Sequence, residues 1–110
     1  MPDPINRSVF AELRATAGAD FVVELVDTFL EEAPPMIAEL REALATGAAD
    51  RFRRAAHSLK TNANTFGAIA LGTRARELEL GGLPADAGGI DALQALYDEA
   101  TVVLKELARG

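Results

Sequence analysis

What most constrains this chain is the recurrence of apolar residues at helical spacing, with no strand-length stretch of alternation. Val22, Leu25, Val26, Phe29, Ala33, Ile37, Leu40 and Leu44 return every three or four residues, which gathers them on one side of a helix. Comparable stripes follow in Phe52, Ala55, Ala56, Leu59, Ala63 and Phe66, in Leu71, Ala75 and Leu78, and in Leu93, Tyr97, Ala100, Leu104 and Leu107. Helices with a single apolar stripe, joined by short connections, bury those stripes against one another. The pattern predicts an all-α fold, an antiparallel four-helix bundle with a short additional N-terminal helix. A chain of 110 residues fits one such domain, 1–110. With 5% aromatic residues and no Trp, its core is expected to rest mainly on Leu, Val, Ile and Ala.

Punctuation residues set the expected boundaries. The first helix is predicted over Ser8 to Thr16, with Ser8 as N-cap and Gly18 just past its end. Asp20 is positioned to cap the second, which ends near Gly47. Inside it Pro34 and Pro35 each remove an amide donor, so a kink or a stop and restart is expected there. The third helix is predicted over about Asp50 to Phe66, and the fourth from Ile69 or Ala70 to Gly81-Gly82. The last covers about Ile90 to Ala108, after the Gly- and Pro-rich connector GGLPADAGG at 81–89.

Charge and composition narrow the function. A net charge of −6 argues against nucleic acid as a partner, since phosphate binding needs a basic surface. There is no Cys for disulfides or thiol chemistry, and a single His makes a zinc site unsuitable, so no metal is expected. No apolar run reaches the roughly 18 residues of a membrane span. MPDPINRS lacks the basic and apolar regions of a secretory signal, and the expected location is the cytoplasm.

The single histidine, His57, lies in AAHSLKTNANTFGA at 55–68. At about 100° per residue, His57 falls about 140° from Phe52, off a buried stripe that spans roughly 60° to either side. Arg53, Lys60, Thr61 and Asn64 share its polar face. An exposed imidazole is a nitrogen nucleophile that needs no activating base. Lys60, three residues on, can lie beside an anion carried on that nitrogen. No second His, Cys or clustered carboxylate is evident nearby to make His57 an acid–base or metal-ligating residue. A lone nucleophile with one cation suits a group carrier; the plain alternative is a solvated surface histidine. No glycine-rich phosphate loop is present, and GGLPADAGG reads as a connector.

These residues resemble the signature of histidine-containing phosphotransfer (HPt) domains, H-x-L-K-G-x-x-x-x-x-G. The stretch reads His57-Ser58-Leu59-Lys60-Thr61, then Asn62 to Phe66, then Gly67. Thr61 stands where the family has its first Gly. FVVELVDTFLEEAPPMIAELREALATGAADRFRRAAH is similar to the family's second helix and the approach to its third, and FGAIALGTRARELE to the start of its fourth. The resemblance covers roughly residues 20 to 80. It implies a phosphorelay carrier in which His57 accepts a phosphoryl group from a receiver-domain aspartate and passes it to a second receiver, while Lys60 helps neutralise the phosphoryl oxygens. The partners implied are receiver domains of response regulators or hybrid histidine kinases. Such a carrier is not an enzyme and has no cofactor of its own, Mg²⁺ belonging to the receiver. A monomer is expected.

Structural roles compete at each position. Leu59 belongs to the stripe and Gly67 fits a helix C-terminus. Arg53 and Arg54 can steer an acidic receiver or simply be solvated, and Asn64 can line the rim of the site. Glu31, Glu32, Glu39 and Glu42 read as solvated faces. Phe21 is the residue of the second helix best placed for exposure and partner contact, whereas Leu25 and Phe29 read as core. Two other functions compete with the carrier. One is a phosphorylation-independent adaptor, which Thr61 favours and the retained His57 and Lys60 oppose. The other is the phosphorylated domain of a chemotaxis-type kinase, compatible with Thr65-Phe66-Gly67, although the Glu-Glu-Ala-Pro approach resembles the relay type more.

Overall fold

The computed structural model describes residues 3–109, so Met1, Pro2 and Gly110 of the expected domain lie outside the described residues. Five helices follow one another: α1 Arg7–Ala17, α2 Ala19–Thr46, α3 Ala49–Thr65, α4 Ile69–Leu80 and α5 Gly88–Arg109. The described residues contain no strand. α3 packs between α2 and α4, α5 closes the ring against the same two helices, and α1 lies against α2 and α3. This is the expected antiparallel four-helix bundle with its short N-terminal helix.

Several expected boundaries shift for local reasons. Asn6, not Ser8, caps α1; its side-chain oxygen accepts from the amides of Ser8 and Val9. α2 starts at Ala19 after Gly18, with no side-chain cap, and Asp20 lies in its first turn, where a carboxylate complements the helix dipole. α5 starts two residues earlier than predicted, at Gly88, whose amide donates to Asp86 Oδ1 at 2.9 Å. α3 ends as expected around Gly67. Gly67 adopts φ +81°, its amide donates to the Asn64 carbonyl, and the Ala68 amide reaches back to Ala63. These two bonds satisfy carbonyls that a helix end would otherwise leave bare.

The prolines do not stop α2, which runs unbroken through Pro34 and Pro35. Without amides at 34 and 35, the carbonyls of Leu30 and Glu31 lose their usual partners. The Tyr97 hydroxyl on α5 donates to the Leu30 carbonyl at 3.3 Å and so replaces one of them. The apolar stripe continues across the interruption, with Phe29, Ala33, Ile37 and Leu40 all buried. Burial on both sides keeps the segment helical where local propensity would break it.

The core contains the aliphatic stripes read from the sequence, and the few aromatics add more than their number suggests. Five of the six are buried (Phe10, Phe29, Phe52, Phe66 and Tyr97), and Phe21 is the exception. Phe29 meets Phe66 at 5.1 Å between ring centroids and Tyr97 edge-on at 5.9 Å, tying α2 to the end of α3 and to α5. Burial of a phenylalanine side chain contributes about 1.5–3 kcal/mol. Leu25, expected in the core, is half-buried.

Candidate functional site

His57 occupies the middle of α3 on the face opposite Phe52, Leu59 and Ala63. Those residues are buried, while the His57 side chain is 57% exposed. The helix ladder fixes its backbone and the packed stripe fixes the orientation of the helix, so the imidazole stands at a defined place on the surface.

A carboxylate not evident in the sequence comes from α4. Glu79 places Oε2 2.6 Å from His57 Nδ1 and Oε1 2.7 Å from Lys60 Nζ. Its side chain is only 11% exposed, the most sheltered of the three. The Lys60 ammonium first, and His57 second, hold the Glu79 carboxyl below the usual carboxylate range, against the opposing effect of burial. An ionised carboxylate can only accept, so His57 Nδ1 carries the proton and donates. In the neutral imidazole Nε2 then holds the lone pair, and no described residue hydrogen-bonds it. Lys60, expected beside His57, is held there by the same carboxylate.

The register of α3 against α4 explains why these residues meet. A Cβ added to the buried Gly72 would overlap Asn64 Oδ1, so the two helices approach closely there. Seven residues back from Asn64 along α3 is His57, and seven forward from Gly72 along α4 is Glu79. In an antiparallel pair, two turns in opposite chain directions lead to the same level. Asn64 is therefore exposed but leans toward α4 rather than standing beside the imidazole.

Thr61 is exposed one turn beyond His57, and its hydroxyl donates to the His57 carbonyl at 3.1 Å. That proton is used within the helix and is not offered to a partner. Arg53, one turn before His57, is exposed and reaches Asp50 only at 4.0 Å. Phe21 is 52% exposed at the start of α2. Its helix runs antiparallel to α3, with Glu39 bonded to Arg51 and Leu25 grouped with Thr65 along the shared seam. That register puts Phe21 about twelve residues from the level of His57, or roughly 18 Å along the axis. Lys60, Thr61 and Arg53 thus gather around His57, whereas Phe21 lies at the far end of the seam. Of the acidic residues read as solvated, Glu39 bonds Arg51 at 2.7 Å and Glu42 approaches it at 3.8 Å.

Among the described residues no helix is long and apolar enough to cross a membrane. The fold is similar to that of histidine-containing phosphotransfer protein B (HptB) from Pseudomonas aeruginosa PAO1, with a TM-score of 0.86 at 23% sequence identity over 99% of this chain and 97% of that one. No match was found among curated proteins. The model of the Hpt domain matches residues 24–101, which take in most of α2, all of α3 and α4 and much of α5, together with His57, Lys60 and Glu79; the chain belongs to the Hpt domain family.

Proposed function

We propose that His57 is the phosphoryl acceptor of this phosphorelay domain and that Nε2 is the attacking atom. The observation that carries the reading is the bond from His57 Nδ1 to Glu79, which leaves the second ring nitrogen with its lone pair. Nε2 attacks the phosphorus of an aspartyl phosphate in line, the bond from phosphorus to the aspartate oxygen breaks, and the receiver keeps its carboxylate. The positive charge that develops on the ring is balanced by Glu79 through Nδ1–H. In the forward step a second receiver's aspartate attacks phosphorus, the P–N bond breaks, and its electron pair returns to Nε2. Lys60, already held at the site by Glu79, supplies positive charge next to the phosphoryl oxygens.

The rest of the chemistry is the receiver's, including Mg²⁺, so the protein acts as a carrier with no metal, cofactor or turnover of its own. Arg53 and Thr61 would meet the receiver next to His57, and Asn64 and Phe21 only toward the edge of a larger footprint. We infer a monomer that works in the cytoplasm.

A receiver phosphorylated on its aspartate, mixed with this protein and Mg²⁺, should transfer a label that is labile to acid and stable to base. His57→Gln should melt as the parent does and acquire none. Label that persists on the His57→Gln protein refutes the assignment.

A further inference from the structure

Beside the acceptor, on the side away from Glu79, α2 and α3 separate to leave a groove of about 640 Å³. Its apolar surface comes from Pro35, Met36 and Ala55, and Ser58, the neighbour of His57, forms one wall. Three carboxylates (Glu31, Glu32 and Glu39) and two guanidiniums (Arg51 and Arg54) complete the lining. Arg51 is already taken by Glu39 at 2.7 Å and Glu42 at 3.8 Å. Glu31 and Glu32 are exposed and make no ion pair among the described residues, and Arg54 bonds only the Asp50 carbonyl, at 3.4 Å.

Resting on the carrier reading above, we infer that this groove is a specificity pocket for one lysine or arginine side chain of the receiver. A receiver aspartate that reaches His57 must cover Ser58, and with it the mouth of the groove. The lining suits a side chain with an apolar stem and a cationic head. Methylenes lie against Pro35, Met36 and Ala55, and the head meets the two uncommitted carboxylates. An acidic or purely apolar side chain would leave two carboxylates, Glu31 and Glu32, covered against the single uncommitted guanidinium of Arg54, which disfavours such partners. The pocket therefore selects among receivers without touching the reacting atoms.

The test uses a phosphorylated receiver that loads His57, with the Glu31→Gln/Glu32→Gln double variant and, as control, Glu99→Gln on the exposed face of α5. The double variant should raise the receiver's KM about tenfold, between the loss of an exposed ion pair and that of a fully buried one, and leave the transfer rate at saturation unchanged. Glu99→Gln should change neither. Alanine substitution of each exposed Lys and Arg on the receiver should then find one whose loss is not additive with the double variant. A KM within twofold of the parent, an equal effect from Glu99→Gln, or strict additivity at every receiver cation overturns the pocket. Transfer to the parent protein that ignores these changes refutes the pocket alone, whereas no transfer from any receiver refutes the carrier reading and the pocket with it.

Discussion

A histidine offers two nitrogens, and a carboxylate that accepts from one commits the other to chemistry. Glu79 does this to His57 while also holding Lys60, so a single side chain organises imidazole and ammonium. Glu79→Gln keeps the shape but can present its NH₂ to the ring. The substituted protein should show a mixed His57 tautomer by ¹⁵N NMR and slower phosphoryl transfer, by about tenfold to a hundredfold, the usual cost of losing such an orienting partner. A parent-like tautomer and rate would reduce Glu79 to a packing residue. The same carboxyl links stability to pH. Its pKa is depressed in the folded protein, so its contribution is present above the unfolded glutamate value of about 4.3 and lost as pH falls toward the lower folded value. The melting-temperature gap between the parent and Glu79→Gln should therefore be open at pH 7 and close on acidification below about pH 4; a gap that does not change with pH contradicts the linkage. His57 and Lys60 were legible in sequence because helical spacing and a short motif place both on one polar face. Glu79 was not, since its 22-residue separation from His57 becomes a contact only through the register of α3 on α4. The usable signal was faint: Glu79 follows Leu78 at the flank of the α4 stripe, on the same side as Gly72, where close helix approach needs the absence of a side chain.

At the scale of elements, all five helices and nearly every stripe residue could be read from periodicity, whereas their ends and the fate of the prolines could not. Caps depend on which neighbouring side chain reaches an amide, as Asn6 shows. One carbonyl that the prolines free in α2 is satisfied by a donor 67 residues away, the Tyr97 hydroxyl. No local rule sees that bond. It predicts coupling between the two positions. Tyr97→Phe should cost about 0.5–1.5 kcal/mol, the net worth of one hydrogen bond. Pro34→Ala should stabilise α2, by up to about 3 kcal/mol, because it restores an amide aimed at the Leu30 carbonyl. In the Pro34→Ala background that carbonyl has its helical partner again, so the cost of Tyr97→Phe should fall toward zero. Denaturant melts of the four proteins in a double-mutant cycle decide the matter, and additive costs would show that Tyr97 does not substitute for the missing amide.

For the molecule as a whole, the site depends on α3 and α4 keeping their register, and the turn between them is tied to the N-terminal segment. The Asn6 amide donates to the Gly67 carbonyl at 2.7 Å, and Ile5 beside it is fully buried. A Cβ on Gly67 would lie 2.7 Å from the Asn6 carbonyl oxygen and 3.1 Å from Val9 Cβ, in a residue at φ +81°. The family's second glycine is thus required here twice, for its left-handed backbone and for the approach of another chain segment. The left-handed conformation alone costs a residue with a side chain about 1–2 kcal/mol. The contact with backbone cannot be relieved by turning a side chain, so Gly67→Ala in the full chain should cost more, about 2–4 kcal/mol. In a protein lacking residues 1–17 that contact is gone, and the same substitution should cost only the conformational part. Gly67 lies ten residues, or roughly 15 Å along α3, from His57. Phosphoryl transfer by Gly67→Ala, measured well below its melting temperature, should therefore stay within about twofold of the parent. Equal costs of Gly67→Ala with and without residues 1–17 would mean that the N-terminal segment does not press on this turn. A large loss of transfer in the folded Gly67→Ala protein would mean that the turn sets the α3–α4 register that brings Glu79 to His57.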